Sequence, residues 1–143
     1  MTRVLLDTNV VVSAVISERG APRELLLDWR SGSFEVLTTP AILGELGRTL
    51  RYEKIMRRYG LGEDDIRAVL GLFWMFASLA DDPVDVEALT GDPADDLLLT
   101  VCAEKRCDYL VTGDRVLLDL GQHASTVILT PRAFREQLSE RSR

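Results

Sequence analysis

Carboxylates are the residues in this sequence whose types and placement can do chemistry. Asp7 closes the apolar run Val4-Leu5-Leu6, and Asp114 follows Tyr109-Leu110-Val111-Thr112 after a single glycine. Asp95 and Asp96 stand just after the turn Gly91-Asp92-Pro93, and Glu45 lies among Ile42, Leu43 and Leu46. Taken singly, each has an ordinary explanation: a turn residue, a helix N-cap (one of the commonest uses of Asp), a solvated helix position. Gathered at one place they would repel and raise each other's pKa. A divalent cation supplies the charge such a cluster lacks, and hard oxygen donors select Mg²⁺ or Mn²⁺ over zinc.

Other site chemistries find little support. The one histidine, His123, sits in the turn-like Gly121-Gln122-His123-Ala124-Ser125 and reads as a surface or capping residue. A zinc site of the His/Cys kind has too few donors, and no Gly-x-Ser-x-Gly nucleophile turn occurs. Cys102 and Cys107 are five residues apart. On a continuous helix that is about 500° of rotation, so they should face different directions as buried free thiols.

The elements that must position the acids alternate along the chain. Val4-Leu5-Leu6 suits a buried strand. The stretch 9–16 is apolar and β-branched and fits a strand or a short helix. Pro22 opens a helix to about Trp29, and residues 34–38 alternate as a second strand. Thr39 and Pro40 have the N-cap and first-turn signature of another helix. That helix carries Ile42, Leu43, Leu46 and Leu50 on one face and continues or kinks towards Tyr59. Residues 63–78 read as a long helix whose stripe Ile66, Val69, Leu70, Phe73, Trp74 and Ala77 is core. Phe76 lies off that stripe, facing outward or covered by another helix. Leu79 and Ala80 suggest a brief strand. A helix runs from Asp95 or Asp96 to about Arg106, then come a strand over 109–112, a short helix over 116–120, a strand over 126–130, and a helix opened by Pro131 with Phe134 and Leu138 on one face. Alternation of this kind predicts a three-layer α/β/α sandwich around a central parallel sheet. In such sheets the crevice lies beyond the carboxyl ends of the strands, where Asp7 and Asp114 fall, with Asp96 nearby at a helix start. Glu45 lies on the flank of its helix's apolar face, directed along the sheet edge or simply outward.

Composition sets the remaining bounds. At 143 residues and 46% hydrophobic content, a single domain over 1–143 is expected. No apolar run approaches the roughly 18 residues of a membrane span, and the first residues lack a signal-peptide pattern, so a cytoplasmic location is expected. A formal charge of −6 argues against gripping nucleic acid by bulk positive charge. It leaves room for a protein that holds nucleic acid through metal ions.

The ordered set of motifs resembles the PIN-domain ribonucleases. Val4-Leu5-Leu6-Asp7-Thr8-Asn9-Val10 is similar to their opening motif, Ile42-Leu43-Gly44-Glu45-Leu46 to their second acidic position, Asp92-Pro93-Ala94-Asp95-Asp96 to their third, and Tyr109-Leu110-Val111-Thr112-Gly113-Asp114 to their fourth. The nearest subgroup in pattern is the toxin components of bacterial toxin–antitoxin systems. The resemblance implies a Mg²⁺- or Mn²⁺-dependent endoribonuclease whose metal ligands are Asp7, Glu45, Asp96 and Asp114. Asn9 and Thr112 match small polar positions that arrange the site. Asp96 is favoured over its neighbour Asp95 because the small Ala103 then falls seven residues on. The resemblance also implies an RNA substrate, a homodimer and a cognate antitoxin that covers the acidic cleft.

Two other classes suit parts of this pattern. A catalytically silent binding module of the same fold is disfavoured because all four acids are present. Aspartyl-phosphate chemistry at Asp7 is disfavoured because Asn9 stands where a phosphatase of that kind wants Asp, and no Lys follows a late strand as in a receiver domain. The basic run Arg48, Arg51, Lys54, Arg57 and Arg58 reads about equally as a solvated face or as a contact for RNA or a partner.

Overall fold

The computed structural model describes residues 1–141. Its elements, in chain order, are β1 (Arg3–Leu6), α1 (Thr8–Ile16), α2 (Ala21–Arg30), β2 (Glu35–Thr38), α3 (Pro40–Leu50), α4 (Glu53–Tyr59), α5 (Glu63–Phe76), β3 (Ser78–Leu79), α6 (Pro93–Lys105), β4 (Tyr109–Val111), α7 (Arg115–Leu120), β5 (Gln122–His123), β6 (Thr126–Leu129) and α8 (Pro131–Arg141). The sheet has the strand order β3-β2-β1-β4-β6-β5. All neighbours pair parallel except β5, which returns antiparallel on β6. The turn read around His123 is therefore a short hairpin at the sheet edge, too brief to show an alternating pattern.

The strands are apolar on both faces because both faces are covered. Val4, Leu6, Val36, Tyr109 and Val111 point into one core, with side chains from α1, α2, α3, α5 and α8. Leu5, Leu37, Leu110 and Ile128 point into the other, beneath α6 and α7. Successive strand residues alternating between two helical layers make the three-layer sandwich that the alternation predicted.

Local signals explain most boundaries. The Thr39 hydroxyl accepts from the Ile42 backbone N–H at 3.3 Å, and Pro40 occupies the first turn of α3. The ambiguous stretch after Asp7 is helical, since α1 packs on α2 and α3 rather than joining the sheet. Close packing also fixes Gly47: a Cβ there would stand 3.0 Å from Arg51 Nη1 and 3.3 Å from Leu70 Cδ1, so its absence lets α5 lie against α3.

Two expectations need correction. Trp74 is 52% exposed and is not core; α5 buries Ile66 and Phe73, a narrower stripe than the periodicity suggested. Phe76 faces outward, beneath the Arg30 guanidinium. The two cysteines do not diverge. Arg106 takes a left-handed conformation and ends α6, and the Cys107 N–H then bonds the Cys102 carbonyl at 3.0 Å. That turn brings the thiols into a hydrogen bond, which together with burial pushes Cys102 well up. Both cysteines are free and buried, as expected.

Phe134 of α8 is fully buried, edge-on to Phe34 at 5.1 Å and tilted against Tyr109 at 5.1 Å. Phe134→Ala should lower unfolding free energy by about 3–5 kcal/mol, checked by urea denaturation against the native chain.

Candidate active site

The sheet order places the site. β1 turns outward to β2 and β3 on one side, while β4 lies on its other side and leads to β6. The strand order therefore reverses between β1 and β4, and the crevice opens at their carboxyl ends. Asp7 follows β1 directly, and Thr112, Gly113 and Asp114 follow β4.

Hydrogen bonds lock these two strand ends together. The Asp7 N–H donates to the Val111 carbonyl at 2.9 Å, extending the ladder by one residue. The Thr112 hydroxyl donates to Asp7 Oδ2 at 2.7 Å and accepts from the Asp114 N–H at 2.9 Å. Asn9 Nδ2 donates to the same Asp7 oxygen at 3.3 Å, while its Oδ1 accepts from the Gly113 N–H at 3.2 Å. Asp7 is the N-cap residue of α1, yet its side chain does not cap; its carbonyl closes the first turn. Asn9 and Thr112 thus tie Asp7 to the turn that carries Asp114.

Of the two acids in the first turn of α6, Asp95 rather than the favoured Asp96 lies beside Asp114. Asp92 caps α6, its Oδ1 accepting from the Ala94 N–H at 2.9 Å, so Asp95 and Asp96 both lie in the first turn, about 100° apart. Asp95 is 6% exposed and hydrogen-bonds the Asp114 carboxylate. Asp96 turns the other way. Its Oδ1 accepts from the N–H groups of Leu89 and Thr90 and from the Thr90 hydroxyl, at 3.1, 2.7 and 2.8 Å. Asp96 therefore ties down the approach to α6, and the cluster gathers Asp7, Asp95 and Asp114.

Glu45 lines the same groove as Asp7 and Asn9, a cavity of about 640 Å³ between α1, α3 and α6. Its carboxylate is held by Arg48, with Nη2 to Oε2 at 2.9 Å. Arg48 is the one member of the basic run that lines this groove. Arg51 pairs with Glu63, Arg57 with Glu53, and Arg58 lies over the Tyr59 ring, as on a solvated face. Nothing in the sequence marks Thr90 as a site neighbour, and Arg48 enters only through the basic run, although its spacing of three from Glu45 on a helix is a pairing signal.

The electrostatics follow from crowding. Burial is the largest influence on Asp95. The Asp114 hydrogen bond and the charges of Asp114, Asp92 and Asp7 add to it and push the carboxyl up to about 7. Burial also raises Asp7, against the opposing Thr112 hydrogen bond. Burial alone would raise Asp96, but its three hydrogen bonds outweigh that and hold it below the usual range. No Lys or Arg pairs with Asp7, Asp95 or Asp114 among the described residues. Nor, among them, do three or more His, Cys, Asp or Glu side chains converge closely enough to hold a metal ion as placed. The donor chemistry nevertheless fits a hard cation: carboxylates only, Asp7 and Asp95 buried and Asp114 half-buried, with Asp95 pushed towards neutrality by burial and then by its neighbours.

Comparison with known proteins adds two findings. The PIN domain profile matches residues 3–116, which takes in β1, α3, the start of α6 and the Asp114 turn. The chain is also 30% identical over 118 residues to the uncharacterized protein MJ1680 of Methanocaldococcus jannaschii, covering 82% of this chain and 74% of that protein. PIN domains are generally nucleases. No helix among the described residues is long and apolar enough to cross a membrane.

The raised Asp95 carboxyl sets a pH dependence. Between its ordinary 3.8 and about 7, folded protein retains a proton that unfolded protein has released. Unfolding free energy therefore falls as pH rises through that window and levels above it. Asp95→Asn should remove this contribution, so the variant gains on the native chain in melting temperature from pH 4 to 7. A difference that stays flat across a metal-free pH series would contradict the coupling.

Proposed function

The chain belongs to the PIN domain family, and on that premise we propose that it is a Mg²⁺- or Mn²⁺-dependent endoribonuclease. The observation that carries the reading is the cluster of buried Asp7 and Asp95 with half-buried Asp114, in which burial first and neighbouring carboxylates second push Asp95 up to about 7 with no basic side chain paired to it. These three residues would hold the metal, with Glu45 joining them when released from Arg48. Asp96, the ligand implied by motif register, serves the loop instead.

A bound divalent cation supplies an activated water and charge for the oxygen that departs from a phosphodiester. The chain's own groups do the rest. Thr112 and Asn9 hold Asp7 Oδ2 in one orientation. The Val116 N–H occupies Asp114 Oδ1 at 3.0 Å, which leaves the other oxygen for a ligand. Asp95, whose carboxyl is pushed up to about 7 chiefly by burial, could accept the proton released by an attacking water. No protein nucleophile is required, and the one histidine lies on β5 at the far sheet edge.

The finer reading is a toxin component that acts as a homodimer and is covered by an antitoxin protein. Trp74, Met75 and Phe76 are each exposed around the end of α5, apolar surface that supports a protein partner there.

The register distinguishes the acids. Asp7→Asn and Asp95→Asn should each slow cleavage of a labelled single-stranded RNA by more than about 100-fold, beyond what supporting residues usually cost. Asp96→Asn keeps an acceptor oxygen for the Leu89 and Thr90 N–H groups and should cost no more than about tenfold, the low end of what an outer hydrogen-bonding group contributes. An active Asp95→Asn beside an inactive Asp96→Asn would restore the motif register. A native chain inactive with both metals would remove the nuclease reading.

A further inference from the structure

We propose that the groove leading from Asp7 between α1, α3 and α6 is a nucleobase subsite, taking one unstacked base beside the phosphodiester to be cut. The inference rests on the nuclease reading above and adds what that reading leaves open: how the RNA strand is seated, and which residues discriminate its bases.

The groove's chemistry changes along its length. At one end stands Asp7, shared with the carboxylate cluster. Beyond it the walls are Val12, Ile42, Leu97 and Leu98, and the surface they present is mostly apolar. A site that handled only metal and phosphate would be polar throughout, since both are charged and hydrated. Its volume of about 640 Å³ falls in the range of sites that enclose small organic ligands.

A base suits this space for reasons of connectivity and of surface. A base is joined to its phosphate through one ribose, so with a phosphodiester at Asp7 the neighbouring base lies within reach of the adjoining walls. Its flat face is apolar enough to rest between aliphatic side chains, as extruded bases do in other enzymes. Its edge needs hydrogen bonds, and hydroxyls that both donate and accept stand at the lining positions Thr49 and Ser13. Neither hydroxyl has a hydrogen-bond partner among the described residues, and Thr49 is half-buried. Arg48 closes the outer end, where its guanidinium faces the next phosphate along the strand. Stacked duplex RNA keeps its bases inside the helix, so this subsite demands a single-stranded or looped segment.

The test uses short single-stranded RNA oligonucleotides with one mapped cleavage position and added Mg²⁺ or Mn²⁺. Each base in turn is replaced by an abasic ribose. At one position flanking the cut, the abasic substitution should raise KM about tenfold, as loss of one stacked base does elsewhere. Leu97→Ala, a half-buried wall residue, should show the same loss on the intact oligonucleotide and little further loss on the abasic one. Its melting temperature is checked alongside. Thr49→Val, similar in size, should alter the preference among the four bases at that position, read as the ratios of their kcat/KM values. Equal KM for the intact and every abasic oligonucleotide, with cleavage proceeding, overturns the subsite and frees the groove for a protein partner. An abasic penalty of full size in both variants overturns it as well. No cleavage of any oligonucleotide overturns the nuclease reading and this inference with it.

Discussion

The carboxylate of Asp7 is 8% exposed, and it reaches that depth because Thr112 and Asn9 both donate to one of its oxygens. Those bonds constrain the surroundings. Thr112 can serve Asp7 only if β1 and β4 are neighbours with their carboxyl ends level, which the pairing of Leu6 with Val111 provides. Once Thr112 is so placed, its oxygen also takes the Asp114 N–H, and Asp114 is drawn to the same edge. The helix that follows β3 then starts where Asp95 meets Asp114. Hydrogen bonds that stabilise one buried carboxylate thereby assemble a cluster that is electrostatically unfavourable, because no cationic side chain balances it. Folded chains rarely keep such an arrangement without a use for it, and perturbed carboxyls in a cleft are a mark of functional sites.

How much of this was legible in the sequence depends on the range of the interaction involved. Asp7 was legible because a strand of both-face burial ends abruptly in a charge. Thr39 and Pro40 announced α3 because capping is decided within four residues. The choice between Asp95 and Asp96 was not local. Adjacent helix residues differ by about 100°, and the outcome turned on Asp92 taking the cap and on Thr90 claiming Asp96. A motif that fixes spacing along the chain does not fix which of two neighbours faces a strand end contributed from elsewhere. Trp74 failed for a related reason: helical periodicity gives a direction, but the width of the buried stripe depends on what lies opposite. The cysteines misled because the arithmetic assumed a continuous helix through Arg106, which instead turns left-handed.

The net charge gains a different meaning from this geometry. A formal charge of −6 disfavours non-specific binding of a polyanion across the surface. Much of the positive charge is also committed, since Arg51, Arg57 and Arg135 sit in ion pairs with acids. Under the proposed function, attraction for RNA must therefore be local. It would come from a cation held by the carboxylates, from Arg48 at the groove mouth, and from apolar contact along the walls between them.

The Glu45–Arg48 pair joins these requirements in one helix. The two side chains lie one turn apart on α3, and each satisfies the other. An exposed pair of this kind is worth little, so separating it costs little. A cation at the cluster and a phosphate at the mouth would compete for its two halves together, Glu45 turning inward and Arg48 outward. Under the proposed function, the same weak ion pair would be exchanged for a cation contact at Glu45 and a phosphate contact at Arg48. Neither ligand alone offers a partner to both side chains.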